Sequence, residues 1–221
     1  IWQYTGTPMT GWQQLDNNAA AKAIVAGPDA LYQLHNDGSI WQYTGTPMTG
    51  WQQLDDNSYT TSIVTNQDGG LYQLRNNGRI WQYMGTPMIG WQEVDNNPST
   101  TAIVGGSTTV YQLHNDGSIW QYTGTDWQQI DSNANTKLVV GGANTVYQLH
   151  NDGRIWGYTG TPMTGWKELD HNSAATAIVS NSDALYQLHN NGSIWQYTGT
   201  PMTGWQELDN NATTTALTSA R

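Results

Sequence analysis

The stretch IWQYTGTPMTGWQQLD runs from Ile1 to Asp16 and returns letter for letter from Ile40 to Asp55. Close variants start at Ile80, Ile119, Ile155 and Ile194, giving spacings of 39, 40, 39, 36 and 39 residues. A period of ~40 residues suits a propeller blade or a helical solenoid. The internal pattern decides between them. Ile-Trp-Gln-Tyr and Trp-Gln-Gln-Leu alternate with period two, and Gly or Pro interrupts the runs at short intervals, so the repeat is built from short strands.

Four strands fit each period. The first is a small, β-branched run such as Ala23 to Ala26, repeated at Ser62 to Thr65, Ala102 to Gly105, Leu138 to Gly141 and Ala177 to Ser180; its modest side chains suit a crowded inner position. The second is Leu31 to His35, the third Ile40 to Tyr43 and the fourth Trp51 to Asp55. Asn36-Asp37-Gly38-Ser39 and its equivalents join the second to the third. Asp-Gly and Asn-Gly between alternating runs predict a hairpin with a type I′ turn. The longer Thr44–Gly50 loop joins the third to the fourth. It shrinks to Thr123-Gly124-Thr125-Asp126 in the fourth copy, a cheap place to lose residues.

The fold expected is therefore all-β: a single six-bladed β-propeller over 1–221, with repeats at 1–39, 40–79, 80–118, 119–154, 155–193 and 194–221. Its closing blade takes strands from both termini, with Thr215 to Ser219 as the sixth first strand. The second strand occurs only five times. Either residues before Ile1 supply another copy, or the closing blade has a gap.

Composition narrows the function. The chain carries 17 acidic and 7 basic residues, a formal charge of −10, and the basic ones are scattered. Phosphate backbones and anionic membranes need clustered Lys or Arg, so neither nucleic acid nor membrane insertion is expected. No apolar run approaches the ~18 residues that a spanning helix requires. Cysteine is absent, which removes disulfides and thiolate chemistry. With no signal peptide in view, the cytoplasm is favoured over secretion, although a first residue of Ile leaves the natural start open. Twelve Trp, twelve Tyr and no Phe form an unusual aromatic set. Each of these rings has a polar handle that suits a half-buried surface or a binding groove.

The segments I-W-Q-Y-T-G, G-W-Q-x-[LV]-D and L-Y-Q-L-H-N-x-G resemble the tectonin repeats of tachylectin-like and tectonin lectins, and they do so along the whole chain. The resemblance implies a six-bladed propeller that binds glycans in grooves between neighbouring blades. Copies so alike and free of cysteine are most similar to the fungal tectonins, some of which recognise O-methylated mannose and fucose on bacterial and nematode glycans in innate defence. Other members take N-acetylglucosamine, other sugars or lipopolysaccharide.

Because strands alternate in direction, the second-to-third hairpin and the loop entering the next blade share one rim. That rim varies little between copies, whereas the first-to-second turn on the other rim varies freely. A repeated sugar site is expected there. Its candidates are the Trp that follows the hairpin (Trp2, Trp41, Trp81, Trp120, Trp156, Trp195) and the residue that precedes it (His35, Arg75, His114, His150, His189). The hairpin Asn (Asn36, Asn76, Asn115, Asn151, Asn190) and the Asp that ends the fourth strand (Asp16, Asp55, Asp95, Asp131, Asp170, Asp209) complete the set. An indole stacks on the apolar face of a pyranose, while Asp, Asn and His pair with its hydroxyls. Arg75 makes one pocket different, and Gly157, where other copies have Gln, widens another groove. Asn36 and Asp37 also have a purely structural use in the turn, and the Trp series a use in packing between blades.

Catalysis concentrates in one asymmetric constellation, while these residues are spread evenly, so no enzyme, cofactor or metal site is expected. The competing reading is a propeller that docks a protein partner, which calls for one distinctive patch on a regular frame. A homo-oligomer is compatible with either.

Overall fold

The computed structural model describes residues 1–143, 145–181 and 184–218. Its 22 strands all lie in antiparallel sheets, and no helix occurs among the described residues. The chain divides into two compact units, Ile1–Thr65 with Gly69–Asn96, and Asn66–Asp68 with Asn97–Arg221.

The first unit holds a two-stranded sheet, β1 (Trp2–Tyr4) and β2 (Trp12–Gln14), and two sheets of four. These are β3 (Ala21–Ala26), β4 (Leu31–His35), β5 (Ile40–Tyr43) and β6 (Trp51–Asp55), then β7 (Thr60–Thr65), β8 (Leu71–Arg75), β9 (Ile80–Tyr83) and β10 (Trp91–Asp95). The second unit holds three sheets of four. They run β11 (Thr100–Gly105), β12 (Val110–His114), β13 (Ile119–Tyr122), β14 (Trp127–Asp131); β15 (Thr136–Gly141), β16 (Val146–His150), β17 (Arg154–Tyr158), β18 (Trp166–His171); and β19 (Ala175–Ser180), β20 (Leu185–His189), β21 (Ile194–Tyr197), β22 (Trp205–Asp209). The described residues thus form five four-stranded sheets and one two-stranded sheet, in place of six equal blades. Residues 215–218, expected to begin a sixth first strand, carry none, and Ser219 lies outside the described residues.

Second, third and fourth strands in the complete sheets fall where the alternation places them, apart from one-residue extensions of β17 and β18. First strands begin two residues earlier than predicted, because a bulge interrupts their alternation. Thr60 pairs with Arg75 and Ser62 with Leu74, which leaves Thr61 as the extra residue. Its hydroxyl donates to the Leu74 carbonyl at 3.0 Å.

Within each unit the core lies between successive sheets. Leu34, Ile40 and Leu54 of one sheet pack with Ile63 and Leu71 of the next. In the second unit Leu149, Ile155 and Leu169 pack with Ile178 and Leu185. Burying each such side chain contributes about 1.5–3 kcal/mol.

A second bulge builds the joint between sheets. In β6, Asp55 pairs with Ile40 and Gln53 with Trp41, so Leu54 is the extra residue. The Leu54 carbonyl is then free to accept two bonds from the following sheet, from the Met88 backbone N–H at 2.8 Å and the Trp91 indole N–H at 3.0 Å. The same clasp joins Leu15 to Met48 and Trp51, Ile130 to Met163 and Trp166, and Leu169 to Met202 and Trp205. Packing between blades is therefore one duty of the Trp51 series. The turn that carries these methionines has a local cost, since Met9, Met48, Met88, Met163 and Met202 all have φ between 66 and 70°, a region that disfavours L side chains.

Candidate functional site

The hairpin between β4 and β5 differs from the expected type I′ turn. Gly38 has φ +87°, but Asp37 is not among the residues with positive φ. Gly38 N–H bonds His35 O at 3.1 Å and His35 N–H bonds Ser39 O at 2.9 Å. This is a three-residue loop, a type I turn closed by a left-handed glycine. The Asp37 carboxylate supplies the reason: it accepts from the Ser39 backbone N–H at 2.9 Å and hydroxyl at 2.7 Å, which favours ordinary φ at Asp37. The Ser39 hydroxyl bond, with the backbone bond behind it, also holds the Asp37 pKa below the usual carboxylate value. A Cβ on Gly38 would lie 2.3 Å from Asn57 O, so hairpin and inter-sheet loop meet on one rim, as the strand directions require.

On that rim the residue before the turn stacks on the Trp after it in every complete sheet. Ring centroids are 5.7 Å apart for His35 and Trp41, 5.6 Å for His114 and Trp120, 5.8 Å for His150 and Trp156, and 5.6 Å for His189 and Trp195. Arg75 takes the place of His, its guanidinium carbon 4.2 Å from the Trp81 ring centre. The histidines are buried and the indoles half-buried. Burial lowers the pKa of His150 and His189, which favours neutral rings at pH 7. Trp2, whose strand β1 pairs with β2 alone, is exposed.

The Asn series points its side chains into solvent, while its backbone N–H groups tie the hairpin to the loop entering the same sheet, as Asn36 does to Ala20 O and Asn76 to Tyr59 O, each at 2.8 Å; Asn115, Asn151 and Asn190 repeat the bond. The Asp series turns inward. Asp55 Oδ2 accepts from Gln73 Nε2 at 2.8 Å, Asp131 from Gln148 at 3.0 Å and Asp170 from Gln187 at 2.9 Å, in each case across to the next sheet. Asp16 is buried, Asp95 half-buried and Asp209 exposed.

Three participants had no individual sequence signal. The Gln in the second strand sits at the centre of the network: Thr60 and Thr136 hydroxyls donate to Gln73 and Gln148 Oε1 at 2.6 and 2.7 Å. At the turn exit the residue is Ser in three sheets and Arg in two. Ser39, Ser118 and Ser193 each accept the following indole N–H at 3.0–3.1 Å. Where Arg79 and Arg154 stand, Trp81 and Trp156 Nε1 are buried with no partner. A Glu stands opposite the Trp in both of these sheets, as Glu207 does opposite Trp195 in the Ser193 sheet, and Arg79 bonds Glu93 at 2.9 Å. Comparing copies position by position finds all three.

Gly157 does not open a groove. A Cβ there would meet Leu169 Cδ1 at 3.2 Å and the Tyr147 ring at 3.4 Å, so neighbouring side chains occupy the space. Among the described residues no three His, Asp or Glu converge as metal ligands would.

No model of a known family matches the chain, and no curated protein matches it. Solved β-propellers are similar to it. Prp20p of Saccharomyces cerevisiae, described with its binding to Gsp1p and histones, matches over 79% of this chain and 56% of its own, with TM-score 0.62 and 10% identity. Human WBSCR16 matches over 84% and 66%, with TM-score 0.63 and 7% identity. YCF48 bound to a D1 peptide matches over 94% and 75%, with TM-score 0.61 and 13% identity. The chain thus spans little more than half the length of Prp20p. The fold is that of a β-propeller, and identities this low speak to fold alone.

Proposed function

We propose that this chain is a multivalent binding protein, without catalytic activity, whose repeated sites on the hairpin rim take carbohydrate. The observation that carries the reading is the recurrence, in all five complete sheets, of a half-buried indole backed by His or Arg beside an exposed Asn. A pyranose has an apolar face for the indole and hydroxyls for the exposed amide. The resemblance to tectonin repeats adds O-methylated mannose or fucose on microbial or nematode surfaces as the preferred ligand class. Equivalent weak sites suit a dense glycan coat, where multivalency raises avidity by ~10² to 10⁴.

A protein-docking scaffold is the second reading. Two of the three propellers above are described with protein or peptide partners, which favours it by analogy of fold.

A glycan array that includes methylated sugars tests the first reading. Calorimetry with a sugar found there is expected to give about five or six sites per chain. Replacing His114 and Trp120 together removes about one. A blank array, with a single protein captured at one-to-one stoichiometry, refutes the glycan reading and establishes the scaffold.

A further inference from the structure

The sheet β7–β10 is the one complete sheet whose Trp is stacked by a cation. Arg75 is mostly covered, its side chain 15% exposed, and its Nε is buried with no hydrogen-bond partner. The Trp81 indole N–H shares that condition, because the hydroxyl that accepts it in the Ser sheets is replaced by Arg79. Guanidinium and indole nitrogens only donate, so two neighbouring donors await an acceptor. Buried donors without acceptors are rare in native proteins.

The nearest carboxylates do not supply it. Asp55 Oδ2 stands 3.8 Å from Arg75 Nη2, beyond hydrogen-bond range, and is held by Gln73 Nε2 at 2.8 Å. Glu93 is engaged by Arg79 at 2.9 Å. The two arginines balance the two acids, so an arriving anion meets no net negative charge. In the sheet β15–β18 the stacked residue is His150, and Asp131, Asp152 and Glu168 face one arginine, Arg154.

The geometry points to an anion-selective site at Arg75, Arg79 and Trp81, which takes the carboxylate or sulfate ester of an acidic sugar, while the His-bearing sheets take neutral ones. An anionic oxygen is the kind of acceptor that both donors lack, and guanidinium is the side chain best shaped for it. Asn76, Asn77 and Arg79, on the hairpin that joins Arg75 to Trp81, are exposed. The inference rests on the hairpin rim being the ligand face.

The test titrates the full chain with methyl glucuronide, with sodium sulfate and with methyl glucoside, by calorimetry and by the indole N–H signals in NMR. Arg75→His uses the residue that the chain itself places in the four other complete sheets, so its fold is supported by precedent. Wild type is expected to bind glucuronide, sulfate or both at one site per chain, moving one indole signal. Affinity falls as salt rises, because screening acts on the charge, and Arg75→His weakens it about tenfold or more, the scale of a hydrogen bond to a charged group. His150→Arg is expected to add a second, weaker site. The identity of the binding anion separates carboxylate from sulfate ester. Equal anion binding by wild type and Arg75→His, or none by either, overturns the inference. A blank neutral-glycan array beside an intact Arg75 site refutes the multivalent reading alone, and a positive array beside a null anion titration refutes this inference alone.

Discussion

Ile1–Asp16 and Ile40–Asp55 are the same residues in two settings, and they are not the same structure. The second copy forms strands of four and five residues, the first only two strands of three. Their registers agree, Trp2 opposite Gln14 and Trp41 opposite Gln53. What differs is the neighbour. β5 is paired on both sides, by β4 and β6, whereas β1 pairs with β2 alone. Beside β1 lies a cavity of about 660 Å³ lined by Trp2, Ile24, Leu31 and Tyr43. Ile24 is 48% exposed there, while Ile63, at the same place in β7, is 4% exposed. Strand length and burial are thus set by what lies alongside and not by the residues themselves.

Paired substitutions measure how deep that difference goes. Ile40 is fully buried and Ile1 is not, so Ile40→Ala is expected to cost about 3 kcal/mol in urea unfolding and Ile1→Ala less than about 1 kcal/mol. Equal losses would show that the first sheet is as well packed as the second. Next in size is the indole bond. Trp51→Phe removes the donor to Leu15 O and should cost about 1 kcal/mol, while Trp12→Phe, at a site 54% exposed, should change the stability by less than about 0.5 kcal/mol.

A third variant carries the same logic into the second unit, where Thr136 supplies Gln148 with a donor and Ala175 cannot do so for Gln187, whose Oε1 is buried and unpartnered. Ala175→Thr is expected to stabilise by about 1 kcal/mol in thermal or urea unfolding. The smallest effect marks where the two copies should agree. Met9 and Met48 share φ of 66 and 68°, so Met→Asn at either position should stabilise by about 0.5 kcal/mol, since Asn tolerates this region. A gain at one position only would mean that the turn, too, answers to its surroundings.

The strands were legible because Leu31 to His35 and Ile40 to Tyr43 alternate cleanly. The bulges were not. Thr61 and Leu54 become extra residues only against a partner strand, and nothing in their own identity announces it. The turn departs from its signature for a similar reason: Asp37-Gly38 reads as type I′, but the Asp37 side chain accepts the Ser39 backbone N–H, a bond that the hairpins ending on Arg79 and Arg154 repeat and that favours another turn. At the site, His and Trp flank one short hairpin, so their meeting could be read directly. Gln73 looks like any polar residue in an alternating strand, and its role depends on Asp55 from the sheet before. The five methionines could have been noticed, because Pro-Met recurs at a turn position where Gly or Asn is usual.

The carbonyl clasp gives the molecule a direction in time. The two donors that secure Leu54 O lie 34 and 37 residues further along the chain, and those for Leu15, Ile130 and Leu169 lie at similar distances. On a ribosome moving at about 5–20 residues per second, a freshly made sheet waits roughly 2–7 s for the next one to lock it. During synthesis each clasp closes backwards onto finished chain, so each of these four sheets is stabilised by the one made after it.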